Sequence, residues 1–164
     1  MKINKRSELH LLLNTYNCQI GVELGVSGGG YSNYLLSNHA FKEFYCIDSW
    51  TSRAHKIDQY ITAYNRLKHH NNVNILRADF TEIRSMFEDN FFDFIYIDGY
   101  AADGNDPTIQ EWYQKLKPGG IYSGHDYHKE WNLTIENVDK LCRENNKKLS
   151  LTHEDKYPSW WFIK

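Results

Sequence analysis

The fold is decided by Gln19-Ile20-Gly21-Val22-Glu23-Leu24-Gly25-Val26-Ser27-Gly28-Gly29-Gly30, an apolar run that ends in an acid and breaks into glycines. A strand that delivers its carboxyl end into a glycine-rich turn, with a helix behind it, is how an α/β fold presents backbone amides to a nucleotide-like ligand. The stretch therefore predicts both the fold class and the kind of ligand.

Strand and helix signals alternate along the rest of the chain. Apolar runs predict strands at Cys18–Leu24, Phe44–Ile47, Val73–Leu76, Phe91–Ile97, Gly120–Tyr122 and Trp160–Ile163. Polar segments between them predict helices at Tyr31–Ser37, Arg53–His69, Thr81–Phe87, Pro107–Leu116 and Asn132–Asn145. Buried strands separated by helix-length crossovers predict a Rossmann-like, doubly wound α/β fold with a mostly parallel sheet.

The two ends of the chain depart from this alternation. Leucines clustered between residues 9 and 13 predict a short amphipathic helix over residues 4–14 that leans on the sheet edge. Leu149–Thr152 and Trp160–Ile163 are separated by a polar loop that is too short for a helix. These two segments are therefore predicted to pair antiparallel, which gives a seven-stranded sheet with an antiparallel last strand.

Length and composition limit the classes of protein. A chain of 164 residues predicts a single domain over residues 1–164, and a net charge of -2 without runs of like charge argues against a nucleic-acid partner. No apolar stretch reaches the length of a membrane span and no signal peptide is recognisable, so we expect a cytoplasmic protein without a membrane partner. Cys18, Cys46 and Cys142 are odd in number and widely separated, which predicts buried thiols and no disulfide framework.

Acidic residues follow the predicted strands at the edge where a doubly wound sheet binds its ligand. They are Glu23, Asp48, Asp79, Asp98 and, after His125, Asp126. Asp48 is placed to accept hydrogen bonds from both hydroxyls of a ribose, and Asp79 to accept from an exocyclic amine. A row of acids favours a positively charged aminoacyl nucleoside over a dinucleotide, whose pyrophosphate it would repel.

At these positions the chain resembles the class I S-adenosylmethionine-dependent methyltransferases. The resemblance is carried by Glu23-x-Gly25-x-Ser27-Gly28, Asp48, Asp79-Phe80, Phe92–Gly99, Leu116–Gly120 and the terminal antiparallel pair. A finer resemblance, to the small-molecule and sugar O-methyltransferase branch akin to methyltransferase family 24, is carried by Ile97-Asp98-Gly99, Trp112, Pro118-Gly119-Gly120 and His125-Asp126-Tyr127.

The resemblance implies an S-adenosylmethionine site and, beside it, the catalytic residues. The cofactor would be bound by Glu23, Gly25, Ser27, Gly28, Asp48, Ser49, Trp50, Asp79, Phe80 and Asp98. By position, Asp98, His125 and Asp126 would be the catalytic residues and would also bind a divalent cation, Mg²⁺ or Mn²⁺. Without a metal, His125 could act as a general base at neutral pH.

Several alternatives stay open at the level of single residues. Trp50 either covers the adenine or packs against the following helix, and Asp48 and Asp79 could also be helix N-caps. An exposed tryptophan at Trp160-Trp161 would suit a homodimer contact. Relatives frequently carry a histidine three residues beyond the acid at position 98, as a candidate base, whereas this chain has Ala101.

The predicted activity is O-methylation of a sugar, a glycan or another small hydroxylated acceptor, such as a catechol-like phenol. Two loops would frame that acceptor through Asp103, Asp106, Tyr127, His128 and Trp131, because aromatic and acidic groups together suit a polyhydroxylated ring. The alternatives are an NAD-linked oxidoreductase and a cofactor-binding module without catalysis, the latter supported mainly by Ala101.

Overall fold

The computed structural model describes residues 2–52, 55–99 and 107–164. The strands are β1 (Ile20–Leu24), β2 (Glu43–Asp48), β3 (Val73–Arg77), β4 (Phe92–Ile97), β5 (Leu116–Gly124), β6 (Ser150–Leu151) and β7 (Trp160–Ile163). The α-helices are α1 (Leu9–Thr15), α2 (Gly30–Asn38), α3 (Ile57–Leu67), α4 (Phe80–Ile83), α5 (Thr108–Trp112) and α6 (Asn132–Glu144).

The strands form one seven-stranded sheet in the order β3-β2-β1-β4-β5-β7-β6. The strands from β3 to β5 pair in parallel, and β7 pairs antiparallel with both β5 and β6. The predicted doubly wound α/β fold with an antiparallel last strand is therefore confirmed. The strand order reverses between β1 and β4, and a crevice at the carboxyl ends of two such strands is where open α/β sheets bind ligands.

The sheet separates two apolar clusters, each covered by helices. Leucines of α1, α2 and α3 pack with Phe44, Phe94 and Tyr96 on one face. Apolar residues of α4, α5 and α6 pack with Val22 and Ile95 on the other face. Because both faces are buried, the central strands are continuous apolar runs, which is why the sequence signals them strongly.

The position of α1 differs from the prediction that it leans on the sheet edge. Leu9, Leu12 and Leu13 are buried in the same cluster as Phe94 and Tyr96, which lie on the central strand β4. Helix α1 therefore covers a face of the sheet. A preceding 3-10 turn (Arg6–Glu8) replaces the first part of the predicted helix over residues 4–14.

Three of the crossover helices are shorter than predicted. The prediction placed the start of helix α3 at Arg53, whereas the helix begins at Ile57. The amide of Lys56 donates to Oε1 of Gln59 at 2.7 Å and so caps this start. Helices α4 and α5 each end in a 3-10 turn, Arg84–Met86 and Tyr113–Lys115. The polarity of these segments predicts a helical crossover but does not distinguish an α-helix from the tighter turn at its end.

Strand β5 is longer than the predicted Gly120–Tyr122. It begins at Leu116, which pairs with Phe92, and the register then shifts so that Ile121 pairs with Phe94. The predicted turn at Leu116–Gly120 is thus a bulge within the strand, where Gly119 has a φ of +80°. A bulge of this kind lets the backbone leave the ladder and return to it.

Two expectations from composition are checked directly by the fold. All three cysteines are buried and free, as predicted. Within residues 2–52, 55–99 and 107–164, no helix combines the length and the apolar character that crossing a membrane requires.

Trp160 and Trp161 face opposite sides of the sheet, the first fully buried and the second half-buried.

The glycine turn lies directly against the end of β4. The amide of Gly25 donates to the carbonyl of Ile47 at 2.9 Å, and the amide of Asp98 donates to the carbonyl of Leu24 at 2.7 Å. Gly25 has a φ of +91°, and a Cβ atom there would lie 2.3 Å from the carbonyl oxygen of Asp98. Only glycine fits where the turn crosses the neighbouring strand.

We expect the substitution Gly25→Ala to destabilise the fold by at least about 2 kcal/mol, because it adds a backbone clash to an unfavourable left-handed conformation. The measurement is the free energy of unfolding in urea. Gly28→Ala is the matched control, since a Cβ there would meet Thr62 at an ordinary 3.6 Å. Equal stability of the two variants would contradict the close approach.

Candidate active site

An open cleft of about 390 Å³ lies at the carboxyl ends of β1 and β4. Its lining includes the predicted residues Glu23, Gly25, Ser27, Gly28 and Asp98. Three basic residues that the sequence did not single out, Arg6, His55 and Arg66, also line it. The cleft is thus acidic on its strand side and carries cations on the surrounding segments.

Glu23 is buried at the end of β1, with 1% of its surface exposed. The hydroxyl of Ser32 on α2 donates to its Oε2, and the guanidinium of Arg6 lies 3.8 Å from its Oε1. Burial raises the pKa of Glu23 to about 8, although Arg6 and Ser32 oppose the shift. A further cation that enters the cleft would favour the ionised form of Glu23 and lower its pKa.

Asp48 accepts hydrogen bonds from three donors at the end of β2. Its Oδ2 accepts from the amide of Ser27 at 3.0 Å and from Nδ1 of His55 at 2.5 Å, while its Oδ1 accepts from the amide of Trp50 at 2.9 Å. Burial opposes its ionisation, but the bonds from His55, Trp50 and Ser27 outweigh burial and hold the pKa of Asp48 below its usual value. Asp48 is not the N-cap of α3, because that helix begins nine residues later at Ile57.

Trp50 and Ser27 hold each other in left-handed backbone conformations, with φ values of 49° and 50°. The indole Nε1 of Trp50 donates to the carbonyl of Ser27 at 2.8 Å, and its ring packs on Tyr60 of α3 at 4.9 Å. Trp50 is fully buried, so it occupies the packing position that the sequence left as one of two alternatives. Ser49, which directly precedes Trp50, is half-buried, and its carbonyl accepts from Nε of Arg77 at 3.3 Å.

Asp79 and Phe80 follow β3, as predicted, at the start of α4. Asp79 is exposed and is the N-cap of that helix, accepting from the amide of Thr81 at 2.8 Å. A hydrogen bond from the hydroxyl of Thr81 lowers the pKa of Asp79. The ring of Phe80 lies against Gly99, where an added Cβ would meet it at 3.1 Å. Phe80 therefore reaches the loop that follows Asp98.

Asp98, His125 and Asp126 lie together across the ends of β4 and β5. Nδ1 of His125 is 2.8 Å from Oδ1 of Asp126 and 3.4 Å from Oδ1 of Asp98. One ligand atom from each residue lies within 4.8 Å of the others, so the three could hold a metal ion. Asp126 has a φ of +58°, and the amide of the next residue is held by the carbonyl of Pro158 at 3.0 Å.

Burial lowers the pKa of His125, but its hydrogen bonds to Asp126 and Asp98 outweigh burial and raise it to about 9. The imidazole in this arrangement therefore keeps its proton at neutral pH. A general base must be unprotonated when the reaction begins. The two carboxylates thus disfavour the predicted role of His125 as a free base, and a metal ion would have to displace this proton before the imidazole could be its ligand.

The predicted acceptor loops are only partly within the described residues. Ala101, Asp103 and Asp106 lie outside them. The hydroxyl of Tyr127 donates to Asp139 of α6 at 2.7 Å, so that it points back onto the fold. Trp131 ends the 3-10 turn Lys129–Trp131 before α6, and about half of its surface is exposed.

The sequence reasoning missed Arg6 and His55. Arg6 lies in the 3-10 turn before α1, and its Nη2 donates to Oδ2 of Asp98 at 2.6 Å. His55 falls inside the predicted helix Arg53–His69, whereas the structure places it before α3, where it pairs with Asp48. Arg6 and Asp98 are 92 positions apart, so no local pattern could have indicated that pair. His55 is only seven positions from Asp48, and it was missed because the segment was assigned to a helix.

An acid-lined cleft at the strand-order reversal of a doubly wound sheet, next to a cluster of two carboxylates and an imidazole, is an enzyme-like site. A family model described as a methyltransferase domain matches residues 18–127. The chain therefore belongs to the methyltransferase family, and its predicted membership of the class I methyltransferases is confirmed. The matched range contains every residue predicted to bind the cofactor or the metal, and it lends no support to the NAD-linked alternative.

Solved structures share the fold at low sequence identity. A candidate caffeoyl-CoA O-methyltransferase from Staphylococcus aureus is 15% identical over 95% of this chain and 81% of that one, with a TM-score of 0.76. An O-methyltransferase from Bacillus cereus, in complex with SAH, is 16% identical over 96% and 80%, with a TM-score of 0.72. An rRNA methylase from Streptococcus thermophilus is 14% identical over 98% and 97%, with a TM-score of 0.71. The comparison with curated proteins finds no match.

The pair of His55 and Asp48 makes stability depend on pH. The hydrogen bond to Asp48 raises the pKa of His55 above its ordinary 6.5, so its contribution is full below that value and is lost as pH rises through the raised pKa. We expect His55→Gln to lower the free energy of unfolding by about 1–2 kcal/mol near pH 5–6 and by less at pH 9.

Urea unfolding at several pH values measures this difference. His153→Gln, at an exposed histidine, is the matched control and should change stability little at any pH. A stability loss in His55→Gln that does not vary between pH 5 and pH 9 would argue against an ionised pair.

Proposed function

We propose that this methyltransferase uses S-adenosylmethionine to methylate a hydroxyl of a sugar, a glycan or another small hydroxylated acceptor, assisted by a divalent metal. The observation that carries the proposal is the position of Asp98. Its Oδ2 accepts from Arg6 in the cleft, and its Oδ1 faces His125 in the adjoining cluster. One carboxylate thus joins a site for the cofactor to a site that handles the acceptor's proton.

The cleft fits a cationic cofactor. Glu23 and Asp98 line it, and the turn after β1 offers close backbone without side chains at Gly25 and Gly28. S-adenosylmethionine, when bound, supplies a methyl group on a positively charged sulfur, and transfer leaves S-adenosylhomocysteine and the acceptor's hydroxyl proton. The role of the chain is to hold the acceptor in line and to receive that proton.

Asp48 keeps limited room for a ribose. A carboxylate offers about four acceptor positions, and Ser27, Trp50 and His55 fill three of them. His55 lines the cleft, whereas Asp48 is 2% exposed and lies behind that wall. A ribose would therefore meet His55 first, and Asp48 would contribute its remaining acceptor position and hold the imidazole in place.

The cluster of Asp98, His125 and Asp126 fits a divalent cation. Two carboxylates and one imidazole within 4.8 Å form a donor set that suits Mn²⁺ or Mg²⁺. A cation held there would lower the pKa of an acceptor hydroxyl. The residues of the chain bind and orient: Asp126 accepts a hydrogen bond from His125 at 2.8 Å, and the carboxylates of the cluster are the groups that would receive the acceptor's proton.

The charge of the chain supports a small acceptor. A net charge of -2 gives no electrostatic attraction for a polyanion, although the rRNA methylase from Streptococcus thermophilus shares the fold. The exposed aromatic surface of Trp131 and the polar cluster of Asp98, His125 and Asp126 offer the two kinds of group that suit a hydroxylated ring. This acceptor class covers both sugars and catechol-like phenols.

Two isosteric variants separate cofactor binding from transfer. We expect Asp48→Asn to weaken binding of S-adenosylhomocysteine about tenfold or more, because it removes the charge that holds the turn and the ribose. Asp126→Asn should bind S-adenosylhomocysteine like the wild type and lose at least about 100-fold in turnover. Calorimetry and release of S-adenosylhomocysteine with a panel of sugars and phenols measure the two effects. Equal cofactor binding by the wild type and Asp48→Asn would contradict the pocket assignment.

Removal of metal tests the second half of the site. We expect EDTA to abolish turnover in the wild type, because removal of the cation leaves the pKa of the acceptor hydroxyl at its ordinary value. Addition of Mg²⁺ or Mn²⁺ should restore turnover through Asp98, His125 and Asp126. Binding of Mn²⁺, followed by electron paramagnetic resonance, should weaken strongly in Asp126→Asn. Full turnover in EDTA would remove the metal from the proposal. No turnover with any acceptor, with or without metal, would favour a binding module without catalysis.

A further inference from the structure

Arg6 is held at the cleft by contacts on both sides of its backbone. Its amide donates to Oδ2 of Asp155 at 2.7 Å, and its carbonyl accepts from the hydroxyl of Tyr31 on α2 at 3.1 Å. Just before it, the carbonyl of Asn4 accepts from the amides of His153 and Glu154 at 2.9 and 3.0 Å. The residue is therefore preorganised, with its side chain aimed into the cleft.

The guanidinium of Arg6 is stacked among aromatic rings and acids. Its central carbon lies 3.8 Å from the ring centre of Tyr31 and 5.0 Å from that of Tyr96. Nη2 donates to Asp98 at 2.6 Å and lies 3.8 Å from Glu23, beyond hydrogen-bond distance. Stacking fixes the plane of the group, which leaves its remaining N–H donors in defined directions.

The donors of Arg6 are not used up within the described part of the chain. Asp98 takes the one hydrogen bond found from the guanidinium, and Nε is buried without a partner. A guanidinium has five N–H donors and frequently binds a carboxylate through two parallel hydrogen bonds, whereas Arg6 meets Asp98 with one. The buried Nε is costly but out of reach of a ligand, whereas 23% of the Arg6 side chain is exposed to the cleft, and the N–H groups of that exposed edge are the donors that an acceptor from outside the chain can meet.

The cleft therefore alternates between anionic and cationic groups. Glu23 and Asp98 suit an ammonium, and the unpaired side of Arg6 suits a carboxylate. The two kinds of group lie within a few ångströms, which is the separation of the charges of an α-amino acid. An ammonium alone would not need Arg6, and a phosphate would meet Glu23 at close range.

We infer that Arg6 is a cofactor-binding residue that pairs with the α-carboxylate of the methionine end of S-adenosylmethionine, while Glu23 and Asp98 hold its ammonium. The inference rests on the proposed function. Arg6 lies outside residues 18–127, the range matched by the family model, so the family match does not assign it. The turn before α1 is thus part of the cofactor site and selects ligands that carry an amino-acid group.

The test compares two ligands that differ only in the carboxylate, S-adenosylmethionine and its decarboxylated form. We expect the wild type to bind S-adenosylmethionine about 10- to 100-fold more tightly than the decarboxylated form. In Arg6→Gln that preference should fall to about twofold or less, through weaker binding of S-adenosylmethionine. Arg6→Lys should keep part of it, because a lysine retains the charge without the paired donors. Isothermal calorimetry gives the affinities.

Lys5→Gln is the matched control. Lys5 is the neighbouring cation, but it pairs with Glu154 at 3.3 Å on the surface with about half of its side chain exposed. It should leave both affinities unchanged. Thermal unfolding without ligand shows whether each variant is folded. If Arg6→Gln does not fold, Arg6→Lys decides the question, because a full wild-type preference in Arg6→Lys would overturn the assignment and a reduced one would support it.

The outcomes separate the inference from the function beneath it. No binding of S-adenosylmethionine by the wild type would overturn the proposed function. Equal binding of both ligands by the wild type, or an equal loss of both in Arg6→Gln, would overturn only the assignment of Arg6. Tighter binding of S-adenosylmethionine by Arg6→Gln would also overturn it, because Arg6 would then occupy the place of the ammonium.

Discussion

The concentration of negative charge at the carboxyl ends of β1, β2 and β4 is the constraint on which the rest of the site depends. Glu23, Asp48 and Asp98 lie on adjacent strands and are largely withdrawn from water, and a buried carboxylate is costly unless it is paired or protonated. Each acid meets this constraint in its own way. Asp48 pairs with His55, Asp98 with Arg6, and Glu23 shifts toward its neutral form.

The same acids shape the backbone around them. Asp48 accepts the amides of Ser27 and Trp50, so one carboxylate closes the turn after β1 onto the loop after β2. Ser27 and Trp50 both have left-handed φ values, and such a conformation is tolerated when the surrounding contacts stabilise it. Asp48 provides that stabilisation here, because it accepts the hydrogen bond of each amide. The geometry of the cleft wall and its charge therefore have one origin, and a change to either would alter the other.

Local patterns explain which parts of this structure could be predicted from the sequence. The buried strands are apolar runs and the acids follow them directly. Short stretches of sequence are therefore enough to predict the fold class and the proximity of Glu23 and Asp98. The face covered by α1 and the bulge in β5 depend on tertiary packing, which no window contains. Arg6 and Asp98 are 92 positions apart, and nothing local to either residue indicates the pair.

The hydrogen bond between Arg6 and Asp155 spans 149 positions of the chain. Such a contact forms only after the sheet is assembled and the β6–β7 loop has docked, since closing a long loop is entropically unfavourable until other contacts hold its ends. During synthesis, the chain must emerge as far as Asp155 before this contact can hold Arg6 at the cleft. The core residues Trp160 and Phe162 follow Asp155 in the chain, so the core and the cleft are completed at the same stage.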